Sequence, residues 1–319
     1  MKKIGLSVYS FYVKNREDEK MELHNIEDYK VLQYLYDSIE SDKDYYFKES
    51  KTEKAYCFDQ IEIQVERNID DREQYSVVYG TIKSGNYGER TEIINVETGN
   101  VEHNKVDNEA DVLPYGFAIA VAAGEMNQGI VVVQSFAGIN IKKILHQRID
   151  AYMERIGNEY RVEMKPIVPQ QVLDNYFEGG VLKSVRFIQN VVPVEESERF
   201  GLNRNVRNMS KEVKFKNPVG FLVNNRLRID MWRRGQIGFD SVVEIDDFEY
   251  DELKLDFKFG SSTKTIKMSD IENLKLSIDI TDEVRTQGGI PVFNNLKLEM
   301  KDVIYRYLEI MGLIEGEDE

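Results

Sequence analysis

Two apolar runs, residues 115–123 and 130–136, stand on either side of a six-residue segment that begins at Gly124 and ends at Gly129. Neither run alternates polar with apolar side chains, so each reads as a strand apolar on both faces, central in its sheet and covered. The glycines and the polar residues between them, Glu125, Asn127 and Gln128, read as a turn. That break keeps the apolar stretch short of the roughly 20 residues of a membrane span.

The pattern continues in both directions. Ile141, Ile144, Leu145, Ile149, Tyr152, Met153 and Ile156 recur at helical spacing, and Gly157 stops the helix. Residues 160–168 read as a strand, 170–177 as a helix opened by Pro169 and ended by Gly179 and Gly180, and 181–189 as another strand. The order β-β-α-β-α-β predicts an α+β fold with antiparallel or mixed sheets and helices packed on one face. Upstream, residues 4–13 read as a strand. Asn25 is the expected cap of a helix with Glu27 and Asp28 in its first turn and Ile26, Tyr29, Leu32, Leu35, Tyr36 and Ile39 on its inner face. Residues 58–66, 75–83 and 90–96 read as strands, with a hairpin turn at 97–100. Downstream, strands are expected at 211–215, 264–268 and 274–280, with a short element at 220–227. Residues 248–259 alternate, with Leu253, Leu255, Phe257 and Phe259 on one face. A terminal helix carries Leu296, Met300, Val303, Ile304, Tyr307, Leu308 and Met311. The expected architecture has two parts, residues 1–195 and 196–319, divided in the stretch 193–201 where Glu195, Glu196 and Glu198 cluster.

Residues 113–121 (Leu-Pro-Tyr-Gly-Phe-Ala-Ile-Ala-Val), 129–136 (Gly-Ile-Val-Val-Val-Gln-Ser-Phe), 138–142 (Gly-Ile-Asn-Ile-Lys) and 180–188 (Gly-Val-Leu-Lys-Ser-Val-Arg-Phe-Ile) carry a resemblance. The region 113–189 resembles a module in poorly characterised bacterial proteins of mobile elements and phage-defence islands. The resemblance implies an antiviral-defence setting and carries over no catalytic residue.

Composition removes whole classes of function. Hydrophobic content of 41% and charged content of 31% exclude a disordered chain, and six prolines exclude a long proline-rich linker. The one cysteine, Cys57, makes no intramolecular disulfide, and its setting, Ala-Tyr-Cys-Phe, reads as that of a buried thiol. His24, His103 and His146 are far apart, so no zinc site is expected. No phosphate-binding P-loop, dinucleotide fingerprint or nucleophile elbow is present. No metal and no cofactor are therefore expected. The apolar N-terminus is interrupted by Ser7 and Ser10 and is followed by no small-residue cleavage site, so it reads as a strand rather than a signal peptide. The expectation is a cytoplasmic protein without a membrane contact.

The charge is uneven. Lys and Arg number 42 and Asp and Glu 57, a net of −15. Yet between positions 204 and 234 stand Arg204, Arg207, Lys211, Lys214, Lys216, Arg226, Arg228, Arg233 and Arg234 against only Glu212 and Asp230. Phe215, Phe221 and Trp232 are interleaved, with Asn224 and Asn225 among several asparagines. Arginines grip phosphates and aromatic rings stack on unpaired bases, so the leading expectation is a non-enzymatic binding protein, an accessory or sensor component of phage defence that engages DNA or RNA through this segment. The same segment also fits plain pairing with the next block, whose eight carboxylates run from Asp240 to Asp256. Two rival functions follow from that block and from the net charge. One is a magnesium-dependent nuclease of the PD-(D/E)xK type, with Asp240 and Asp256 as metal ligands and Lys258 beside the attacking water. The other is an acidic inhibitor that mimics DNA, binding a protein partner. The acidic first third, residues 1–110, and its tyrosines fit a protein contact or a homo-oligomer as well.

Overall fold

The computed structural model describes residues 2–157, 159–167, 180–190, 210–233, 236–237, 242–243, 245, 250–259, 262–268 and 277–315. The fold is mixed α+β with antiparallel sheets. The chain divides into two compact units, residues 1–167 together with 275–319, and residues 168–274.

The first unit runs β1 (Ile4–Lys14), α1 (Val31–Ser41), β2 (Phe47–Glu49), β3 (Lys54–Arg67), β4 (Glu73–Asn86), β5 (Thr91–Ile94), β6 (Val101–Lys105), β7 (Asp111–Ala122), β8 (Gly129–Phe136), β9 (Ile139–Asn140), α2 (Lys142–Ile156) and β10 (Arg161–Pro166). Nine strands form one sheet in the order β10-β1-β8-β7-β4-β3-β2, with β9 on β8 and a late strand on β1. The apolar pair β7 and β8 is central, as its two-faced pattern requires. Tyr115, Phe117, Ile119, Val131 and Val133 point to one face and are buried with Leu35 and Ile39 of α1 and Leu145 and Ile149 of α2. Gly80 leaves room there for Phe117, whose ring would lie 2.5 Å from a Cβ at that position.

The second unit holds β11 (Val181–Gln189), β12 (Lys211–Lys216), α3 (Phe221–Arg233), β13 (Glu252–Phe259) and β14 (Ser262–Lys267). The chain then returns to the first unit as β15 (Ile278–Asp279), the strand that joins β1, followed by the small hairpin β16 (Thr286–Gln287) and β17 (Ile290–Pro291) and by α4 (Phe293–Ile310). Helix α4 packs against β7 and β8 on the face that carries Gly116, Ala118, Ala120 and Ala122. These small residues let a helix approach closely: a Cβ on Gly116 would meet Leu296 Cδ2 at 2.4 Å. Lys297–Glu62 and Lys301–Glu66, both 2.7 Å, tie α4 to β3.

Several expectations change. In the first unit α1 and α2 pack into the core that holds Phe117 and Val133, and α4 packs against β7 and β8 beside Gly116, as strands apolar on both faces require. Helix α1 begins at Val31, not after Asn25. Glu27 and Asp28 have positive φ (49° and 68°), and Ile26 and Tyr29 exchange backbone hydrogen bonds across them, so this stretch is a tight turn. Strand β11, expected in the first part, pairs with β12 and β13, and α4, expected in the second, covers the first sheet. The expected boundary at 193–201 and the helix at 170–177 lie outside the described residues. Among the described residues no helix is long and apolar enough to cross a membrane.

Candidate nucleic-acid interface

The sheet of the second unit has the order β12-β11-β13-β14. Alternation divides its side chains. Val185, Phe187, Leu253, Leu255, Phe257 and Ile266 are buried on one face, and α3 lies against that face through Phe221, whose ring centre is 6.4 Å from that of Phe187. Lys264, opposite Phe257, belongs to the same face, and burial holds its ammonium below the ordinary lysine value. The other face carries mostly polar side chains, of which Ser184 and Asp256 are buried together with the apolar Ile188.

Register arranges that polar face in rows. Lys214 of β12 is opposite Arg186 of β11, Arg186 is opposite Lys254 of β13, and Lys254 is opposite Lys267 of β14. Four cations thus stand side by side across four strands, spaced by the ~4.7–4.9 Å of neighbouring strands. The next row is Lys216, Ser184, Asp256 and Thr265, and Lys258 follows Asp256 on the same face. Glu212 and Glu252 stand on the far side of the cation row, both opposite Ile188. Glu252 contacts Lys267 at 2.6 Å and Lys254 at 3.0 Å, and Glu212 lies 3.9 Å from Arg186. The face therefore holds six cations, Arg186, Lys214, Lys216, Lys254, Lys258 and Lys267, against three carboxylates. Among the described residues Lys216 and Lys258 are exposed and form no ion pair.

Asp256 sits at the centre and is buried. Its Oδ1 accepts from Arg186 at 2.7 Å and from Thr265 Oγ1 at 2.6 Å, and its Oδ2 accepts from Ser184 Oγ at 2.5 Å. Lys214 Nζ is 3.9 Å away. Burial by itself raises the Asp256 pKa, but the hydrogen bonds from Ser184, Thr265 and Arg186 outweigh it and hold the carboxyl at about 2. Asp256 is thus held ionised down to strongly acid pH and fixes Arg186 across the sheet.

The residues singled out on sequence are distributed unequally. Lys214 and Lys216 join the polar face. Lys211 opens β12 opposite Gln189, in step with the covered face. Arg226 and Arg228 are exposed on α3, on the opposite side of the sheet from Lys214, and Trp232 is half-buried on the same helix. Arg233 is the last residue of α3, while Arg204, Arg207 and Arg234 lie outside the described residues. Of the nuclease set, Asp256 and Lys258 share the polar face and Asp240 lies outside the described residues. Among the described residues no group of three or more His, Cys, Asp or Glu is placed to hold a metal ion. Arg186 and Lys267 escaped the sequence reading. The alternation of β13 signalled Lys254, but only the pairing register shows that it stands beside Arg186 and Lys267.

The segregation of charge follows the units. Residues 168–274 hold 16 basic and 17 acidic side chains, a net of −1, while the first unit holds 26 and 40, a net of −14. No protein-family model matches the chain, and no curated protein matches it.

Proposed function

We propose that the second unit binds nucleic acid through the polar face of its four-stranded sheet. The row Lys214–Arg186–Lys254–Lys267 carries this reading. Like charges directly opposite one another weaken a sheet, by a few tenths to about 1 kcal/mol per pair. Three flanking carboxylates offset part of that cost, and partly exposed ion pairs contribute little. A phosphate backbone laid across the strands supplies the remaining anions and releases counterions as it binds. The site differs from the one expected on sequence. Lys214 and Lys216 come from the basic segment, whereas Arg186, Lys254, Lys258 and Lys267 do not.

A nuclease reading asks Asp256 to hold a divalent cation, but its oxygens already accept from three donors. The binding reading asks only that Asp256 stay ionised and keep Arg186 in place. Within the defence setting implied by residues 113–189, the protein then acts as an accessory or sensor component that recognises DNA or RNA without cutting it. The test is a titration of labelled DNA and RNA at several salt concentrations, with the intact chain and with Lys214→Glu, Lys254→Glu, Lys258→Glu and Lys267→Glu combined. The expected result is binding that falls steeply with salt and vanishes in the combined variant. A folded wild-type chain that binds neither polymer at low salt ends the proposal.

A further inference from the structure

The covered face of the same sheet is not filled to its edge. Beside β12 lies a cavity of ≈ 660 Å³ bordered by Phe187, Phe215, Phe221, Lys216, Asn224 and Asn225 among others, within the range of ~300–1,000 Å³ typical of small-molecule sites. Phe187 lines it and makes an edge contact with Phe215, with ring centres 5.9 Å apart. Phe215 itself is 50% exposed, although it is a large aromatic on an edge strand. Two side-chain amides stand on the helix side. Asn225 Nδ2 donates to the Phe221 carbonyl at 2.8 Å, and among the described residues the Asn224 amide has no hydrogen-bond partner. Lys216 is the last residue of β12. Its register places it in the row of Asp256, and it also borders the cavity, so it stands where the basic face and the aromatic cavity meet.

We propose that this cavity takes an unpaired nucleobase, so that the chain's nucleic-acid substrate is single-stranded; this rests on the nucleic-acid reading above. The half-exposed Phe215 ring is an aromatic surface on which an unpaired base can stack. The asparagine amides supply both a donor and an acceptor, the complement of a base edge. Lys216 lies next to the base, where its phosphate must run, and the cation row continues across the sheet. A duplex keeps its bases stacked and leaves the cavity empty.

The experiment compares a single strand carrying 2-aminopurine with the same strand in a duplex. The expected result is a fluorescence change on binding the single strand only, tighter binding of the single strand, and a loss of roughly tenfold or more in that affinity with Phe215→Ala. Duplex affinity should not move. Because Phe215 is half exposed the variant should fold; Asn224→Asp, which sets a carboxylate in the cavity, provides a second variant with the same expected direction. Equal affinity for both polymers, unmoved by either variant, overturns the base site and leaves the basic face standing. Binding of neither polymer overturns both. Self-association abolished by Phe215→Ala with unchanged oligonucleotide affinity overturns the base site in favour of a second copy of the chain.

Discussion

The nine-stranded sheet of the first unit has helices against both faces and a surplus of 14 negative charges in its unit, whereas the four-stranded sheet of the second has, among the described residues, helix α3 against one face and a row of cations on the other, in a unit with a net charge of −1. The difference begins in the alternation of side chains. Strands β7 and β8 are apolar at nearly every position, so both faces demand cover. Strand β13 alternates strictly, so one face is left for water or for a ligand. The first sheet is stabilised by hydrophobic burial and the second in part by a central carboxylate, and the two should fail under different insults.

The largest effect should come from the first unit's interior. Phe117 is fully buried and meets Phe58 with ring centres 6.0 Å apart. Phe117→Ala is expected to cost about 3–5 kcal/mol in chemical denaturation. If it costs no more than Phe215→Ala does in the second unit, the contrast between a filled and an open sheet is wrong.

Asp256 comes next. Asp256→Ala leaves Arg186, Ser184 and Thr265 without their shared acceptor and should cost roughly 2–3 kcal/mol. The folded pKa of about 2 lies below the ordinary 3.8. Its stabilisation, on the order of 2 kcal/mol, is therefore complete above about pH 4 and disappears as the pH falls through about 2. An acid titration of the second unit's unfolding should show this loss in the wild type and not in Asp256→Asn. A variant with the same acid profile would detach Asp256 from the stability of its sheet.

Binding effects follow. Lys216→Ala and Lys258→Ala should each lower the slope of log affinity against log salt by about 0.7 for a single strand. Arg226→Glu and Arg228→Glu, on the helix side, should change affinity less than Lys214→Glu and Lys267→Glu do. The reverse ranking would move the interface from the sheet to α3. The smallest effect is expected at the first unit's surface, where Lys301→Ala removes a partly exposed ion pair. It should shift stability by about 0–1 kcal/mol and leave nucleic-acid affinity untouched.

Periodicity made much of the first sheet legible. Ile144, Leu145, Ile149, Tyr152 and Met153 mark α2, and Leu296, Met300, Val303 and Ile304 mark α4, because each helix has one buried stripe. Helix α3 was not visible as a helix. Asn224, Asn225, Arg226 and Arg228 interrupt its apolar positions, and Val223 and Leu227 are exposed, so no clean stripe exists. The division of the chain was hidden for a different reason. Which strands pair is a non-local property, and nothing local to residues 181–189 shows that they pair with 211–216 and 252–258 rather than with the strands just before them. The candidate site suffered in the same way. The basic segment is obvious as a run of charge, but whether Lys214 and Arg226 share a surface is settled by an alternation and a helix on the other side.

The strand β1 has a further consequence, for how the protein is made. Strand β10 leaves it with Pro166 opposite Tyr9, and β15 rejoins the same strand with Ile278 opposite Leu6. Departure and return are three residues apart on β1, about 10 Å of strand. On the ribosome, the whole second unit is synthesised between those two events, and α4 emerges later still. The sheet face that carries Gly116 and Ala118 is therefore translated early and roofed late, and the nascent chain passes through a stage with that apolar surface bare. Chains halted before residue 277 should bind a dye that reports exposed apolar surface, and completed chains should release it.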